Sequence, residues 1–146
     1  MDKKNNESFV RWQGRSIEQL GFLNNLLMGL SIGLLVFQIN LVFSREVVLS
    51  KAEELFFIVS LLFCLLSLIF GIFLAWNRLS SFGQTALIAR KRETGKREDI
   101  EELRKHVKEL DNKTWTLLKV QIVAFGLHII SLAILTIMYI SCFQKL

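Results

Sequence analysis

A chain of 146 residues is the length of one domain, and 52% of it is hydrophobic, more than a soluble domain usually carries. The net charge of +5 sits in stretches apart from the apolar residues. An ordinary water-soluble bundle is therefore excluded, since it would repeat apolar residues every third or fourth position throughout. There is no proline, which suits long unbroken helices. The pattern reads as an all-α integral membrane protein: three transmembrane helices, with a cytosolic antiparallel helical hairpin extending the second and third.

Residues 1–20 form a polar lead. Phe9, Trp12, Ile17 and Leu20 fall near one helical face, with Arg11, Arg15 and Glu18 off it. That is the pattern of a short interfacial helix lying on the bilayer; a lead packed on the hairpin of its own or a neighbouring chain is the alternative. Residues 21–43 are 23 positions without a charge, enough to cross a hydrocarbon core that needs roughly 20. In hydrocarbon the backbone must bond to itself, so the segment is helical. It is too long for a signal-peptide core, follows a polar lead and precedes no small-x-small cleavage site, so it is expected to be retained. It carries Asn24, Ser31 and Gln38 at intervals of seven, and the small pair Gly29-x-x-x-Gly33, a helix-packing signature.

Residues 44–54 form an outer loop. The second span, 55–76, bears a ridge of small residues, Ser60, Cys64, Ser67 and Gly71, suited to close helix approach. Residues 77–119 form the hairpin. Leu79, Phe82, Ala86 and Ala89 are spaced 3-4-3 on its first arm, and Ile100, Leu103, Val107 and Leu110 on its second, in a register that continues to Thr114 and Leu117. These are heptad-like seams, expected to pack together around a turn at Gly95. The third span, 120–143, carries Gln121 and His128 seven apart, followed by Ser131. Cys64 and Cys142 lack neighbours at metal-ligand spacing and read as packing residues.

Lysine and arginine set the orientation. The lead and the hairpin hold fifteen of them, the outer loop and the C-terminal tail three. The N-terminus and hairpin are thus expected in the cytosol and the C-terminus outside. Trp12, Trp76 and Trp115 fall near the cytosolic interface and Tyr139 near the outer one, as aromatic belts require.

Arg90, Lys91, Arg92, Lys96 and Arg97 crowd the hairpin tip. They are candidates for an anionic cytosolic partner, a protein or a nucleotide-type ligand. A solvated positive-inside loop is the plainer reading, because seven acids between Glu93 and Asp111 dilute the field. No aromatics interleave for base stacking, so nothing points directly to nucleic acid.

No Asp, Glu, Lys or Arg lies within a span, which disfavours a conventional ion-coupled transporter. Asn24, Ser31, Gln38, Gln121, His128 and Ser131 are the intramembrane polar groups. Such groups seek partners in hydrocarbon, so their faces are expected to meet one another, a second copy, or water. Counting from the cytosolic ends places His128 near Ser31, and Gln121 near Asn24 and Asn25. A structural bond from His128 to Ser31 or Gln38 is expected, with a pore-lining role as the sharper alternative. No catalytic motif is present and His106 is solitary, so neither an enzyme nor a cofactor is expected.

The run Trp76-Asn77-Arg78-Leu79, followed by Thr85-Ala86-Leu87-Ile88-Ala89-Arg90-Lys91-Arg92, resembles a group of small, largely uncharacterised bacterial multi-span membrane proteins. In plan, two spans and then a cytosolic helix, the chain is similar to SLATT-type pore-forming effectors of bacterial defence. It departs from them in its third span and shares no motif with them. The resemblance implies an oligomeric, pore-forming or membrane-perturbing effector, gated through the hairpin and acting in phage defence. Three helices would struggle to enclose a pore within one chain, so a pore requires a homo-oligomer. A non-conducting anchor that recruits a soluble cytosolic partner is the alternative, since plan does not decide function.

Overall fold

The computed structural model of the chain describes residues 3–43, 49–95 and 99–143. Among them it forms three helices: α1 (Lys3–Phe43), α2 (Lys51–Glu93) and α3 (Ile100–Phe143). Each exceeds 40 residues, about 60 Å at 1.5 Å per residue, or twice the roughly 30 Å hydrocarbon thickness. All three contain a stretch long and apolar enough to cross a membrane. α2 and α3 lie antiparallel, from the Ser60–His128 contact to the Lys91–Asp99 ion pair, and α1 packs mainly on α2.

α1 runs without a break from the polar lead into the first span. The lead expected as a separate helix is therefore the first part of α1. The side chains of Phe9, Trp12 and Cys142 lie outside the described residues.

Local chemistry fixes the ends of α2. Ser50 is its N-cap in a capping box: the Glu53 amide donates to Ser50 Oγ at 3.4 Å, and the Ser50 amide donates to Glu53 Oε2 at 2.7 Å. Such a box satisfies two otherwise orphaned donors. At the other end Thr94 caps the helix and Gly95 adopts φ +72°, a left-handed conformation that glycine enters without steric cost. Arg90, Lys91 and Arg92 occupy the last turn of α2, and Glu101 and Glu102 the first turn of α3. Each set opposes the partial charge of its own helix end, so the charge pattern of the tip has a structural role.

The interior is inverted relative to a soluble protein. Leu, Ile and Phe line the outside of the spans, including Phe22, Leu30, Val36, Leu62, Phe73 and Ile130. The buried positions are largely polar or small. On α2, Glu53, Ser60, Ser67, Leu74, Ser81 and Ile88 are all buried and each is seven residues from the next. On α3 the matching series is Ile100, Val107, Thr114, Gln121, His128 and Leu135, with Val107 half-buried. On α1 it is Asn24, Ser31 and Gln38. A strict seven-residue repeat wraps helices in a left-handed supercoil.

The seam on the α3 arm of the hairpin is the expected one: Ile100, Leu110 and Thr114 are buried, and Leu103, Val107 and Leu117 half-buried. The α2 arm differs. Leu79 and Phe82 are 67% and 49% exposed, Ala86 and Ala89 are exposed too, and Ser81 and Ile88 take the inner positions. Polar bonds select that face. Asn77 Nδ2 donates to the Leu110 carbonyl at 2.6 Å and to Thr114 Oγ1 at 2.8 Å, and Ser81 Oγ donates to Asp111 Oδ1 at 3.0 Å. Between this junction and the polar interior of the spans, Leu20, Leu74 and Leu118 pack together, one leucine from each helix.

Candidate functional site

The polar residues of the three spans converge on a single seam between the helices, at three levels. At the level nearest the hairpin, Asn24 Nδ2 donates to the Gly71 carbonyl at 3.4 Å. Gln121 from α3 lies against the same glycine: a Cβ on Gly71 would stand 2.7 Å from Gln121 Nε2 and 2.8 Å from Met28 Cγ. Only glycine lets the three helices approach so closely there. At the middle level, Ser31 Oγ and Ser67 Oγ are 3.4 Å apart, and Cys64 Sγ donates to the Ser31 carbonyl at 3.2 Å. At the far level, Gln38 Nε2 donates to Ser60 Oγ at 2.7 Å. His128 Nδ1 lies 2.9 Å from both Ser60 Oγ and the Ser60 carbonyl oxygen. Ser131, the next inward position on α3, is also buried.

The contact with the Ser60 carbonyl assigns the His128 tautomer. A carbonyl oxygen only accepts, so Nδ1 carries the proton and Nε2 keeps a bare lone pair. That Nε2 is buried with no partner among the described residues, as are Asn24 Oδ1, Gln38 Oε1 and both amide atoms of Gln121. An unpaired polar group in an apolar medium costs several kcal/mol, so these atoms require hydrogen-bonding company that the described residues do not supply.

The faces expected to meet do meet, but through α2. His128 bonds to Ser60 and reaches Gln38 through it, and the partner of Ser31 is Ser67. The ridge read as a packing surface (Ser60, Ser67, Gly71) is thus the hub of the polar network. Gly29 and Gly33 lie elsewhere: both are exposed on the outer side of α1 with open space beyond them, so they do not join helices within the chain. Reading the polar positions of all three spans as one heptad register would have revealed the pairing. The signal is the seven-residue interval from Glu53 to Ile88, of which an apolar count registers only Leu74 and Ile88.

This geometry bears on a pore. The groups assigned to a pore lining are enclosed by the chain's own three helices, and the surface offered to a neighbouring copy in the spans is mostly apolar, with Asn25, Asn40 and Thr136 exposed on it. At the basic tip, Lys91 Nζ lies 3.5 Å from Asp99 Oδ2. Arg92 borders a cavity of about 290 Å³ beside Ile88 and Arg104, while Lys96 and Arg97 lie outside the described residues. Among the described residues no three His, Cys, Asp or Glu side chains converge as metal ligands. No protein-family profile matches the chain, and comparison with curated proteins and with solved structures finds no similar protein.

Proposed function

We propose that this chain is an inner-membrane effector of bacteria that converts a signal received on its cytosolic hairpin into a change in its intramembrane bundle. What carries this reading is the continuity of α2 and α3. Each is one helix from the turn at Gly95 to the far side of the polar seam. Asn77 and Ser81 tie the two together where they leave the apolar region. A partner that twists or parts the arms at Arg90–Arg92 acts on a stiff pair of rods that end in the seam. Excess lysine and arginine place the hairpin in the cytosol, and the output is a change in permeability.

The inward closure of the polar groups favours a second reading, a non-conducting anchor that presents the hairpin to a soluble protein. Membrane potential in bacterial cells overexpressing the chain separates the two. The effector reading expects depolarisation by the intact chain and none by a variant whose tip, residues 84–106, is replaced by a short Gly-Ser turn. Equal depolarisation by both refutes coupling through the hairpin. A full potential in both, together with a partner crosslinked to the hairpin, supports the anchor.

A further inference from the structure

We infer that the axis of the three-helix bundle is a proton path, closed on the hairpin side by the single leucine layer of Leu20, Leu74 and Leu118. The inference deepens the effector reading by naming what passes, where it passes and what blocks it.

From the far level to the hairpin-side level the seam covers eleven residues of α2, Ser60 to Gly71, or about 16 Å at 1.5 Å per residue. At both of these levels there is a buried polar atom without a protein partner: Gln38 Oε1 and His128 Nε2 at one, Asn24 Oδ1 and the Gln121 amide at the other. Ser31, Ser67 and Cys64 hold the middle. Buried polar groups left over in this way are met by internal water, which takes two to four hydrogen bonds at each position. Waters and hydroxyls pass protons along such a line, the amides hold the waters by accepting and donating hydrogen bonds, and the imidazole takes up a proton and gives it back. His128 suits the relay because Nδ1 is held by the Ser60 carbonyl, so Nε2 both takes a proton from one water and returns it to the next.

Each end of the relay meets an opening or bonded polar pairs. One turn beyond Ser60, a cavity of about 580 Å³ opens at the far end of the bundle, lined mainly by apolar side chains, Phe37, Phe57 and Leu135 among them, with Glu54, Thr136 and Tyr139 as its polar members. On the hairpin side, Asn77–Thr114 and Ser81–Asp111 form two bonded polar pairs, and Asp111 is exposed. Thr114 and Gln121 are seven positions apart on α3, about 10 Å. That gap is filled by the leucine layer, whose members are each under 10% exposed. An apolar constriction of this kind blocks permeation by excluding water and opens when it is widened or made polar. It sits one turn from the Asn77 bonds that join α2 to α3, which is where motion of the hairpin would reach it.

The test needs no cytosolic trigger, so its outcome is independent of whether the hairpin senses anything. The full chain and its variants are reconstituted into liposomes holding a pH-sensitive dye, with valinomycin to clamp the potential. Leu74→Ser and Leu118→Ser are expected to collapse a proton gradient on the order of tenfold faster than the unaltered chain, equivalent to about 1.4 kcal/mol off the barrier. Leu79→Ser, on the exposed face, is expected to leave the rate unchanged. Adding Gln121→Leu or His128→Phe to Leu74→Ser should return the rate to that of the unaltered chain. Leu74→Ala and Leu118→Ala serve if the serine variants fail to give a monodisperse helical protein. The inference is overturned if the folded layer variants stay as tight as the parent. It is equally overturned if the flux of Leu74→Ser survives Gln121→Leu and His128→Phe, since the leak would then bypass the seam.

Discussion

Replacing Ser60 by alanine removes one oxygen at the point where all three helices meet. Gln38 Nε2 loses its acceptor at 2.7 Å, and Gln38 is wholly buried with Oε1 already lacking a protein partner. His128 is affected less, because Nδ1 keeps the Ser60 backbone carbonyl. Stranding a buried donor costs about 1–3 kcal/mol. Interhelical hydrogen bonds in membranes average about 0.6 kcal/mol and reach about 1.7, since the unfolded chain in lipid also finds partners. The two ranges together place Ser60→Ala at about 1–2 kcal/mol of destabilisation. The partner substitution discriminates the cause. Gln38→Leu removes the stranded amide, and replacing both partners by apolar groups is nearly neutral, so Ser60→Ala should add almost nothing in the Gln38→Leu background. Reversible unfolding of the four proteins in mixed micelles, or steric trapping in bicelles, gives the coupling energy directly. A Ser60→Ala cost that is the same with and without Gln38 would falsify the reasoning, because it would mean that the bond does not join the helices.

Gly71→Val should destabilise the bundle by about 1–3 kcal/mol through overpacking against Gln121 and Met28, measured in the same unfolding assay. Gly29→Val and Gly33→Val meet open space and should leave the protomer folded; if copies associate through this face, they should shift the oligomer distribution seen by size-exclusion light scattering. Ser50→Ala breaks the capping box of α2 and should cost about 1 kcal/mol, with exchange protection lost at the first turn of α2 before anywhere else in that helix. In a cysteine-free background, Thr94→Cys should react with a membrane-impermeant maleimide only from the cytosolic side and Lys51→Cys only from outside; the opposite result would reverse the orientation drawn from lysine and arginine.

How much could be read from the sequence depended on which solvent each element meets. The three long apolar helices were legible because uncharged runs of 22 to 24 residues admit few other structures. The turn at Gly95 and the inner face of α3 were legible because heptad spacing of Ile100, Leu103, Val107 and Leu110 works in water as it does in any soluble coiled coil. The same rule chose the wrong face of the α2 arm. Leu79 and Phe82 lie within two turns of Trp76, where α2 leaves the apolar span, and there an apolar side chain gains nothing by turning inward that the surroundings do not already offer. Asn77 and Ser81 have no such freedom, because their bonds to Leu110, Thr114 and Asp111 exist on one face only. The partner of His128 was missed for a related reason: depth counted along separate helices ignores the third helix that lies between the groups.

In lipid the polar and small residues define the interior, and the apolar ones report only the solvent. Read in that sense, the interval of seven from Glu53 through Ser60, Ser67, Leu74 and Ser81 to Ile88 is one uninterrupted register, spanning the apolar region and the hairpin alike. It contains two kinds of layer. Hydrogen-bonded layers hold their geometry by direction: Ser60 meets Gln38 and His128, Ser67 meets Ser31, and Ser81 meets Asp111. The Leu74 layer holds by contact alone, and apolar contacts impose no direction. A rotation of α2 that preserves the serine bonds on either side is absorbed where direction is not enforced. Between the Ser67 and Ser81 bonds the leucine layer is therefore the position that yields first, and among the described residues it is the apolar layer that separates the polar interior of the spans from the polar junction at the hairpin.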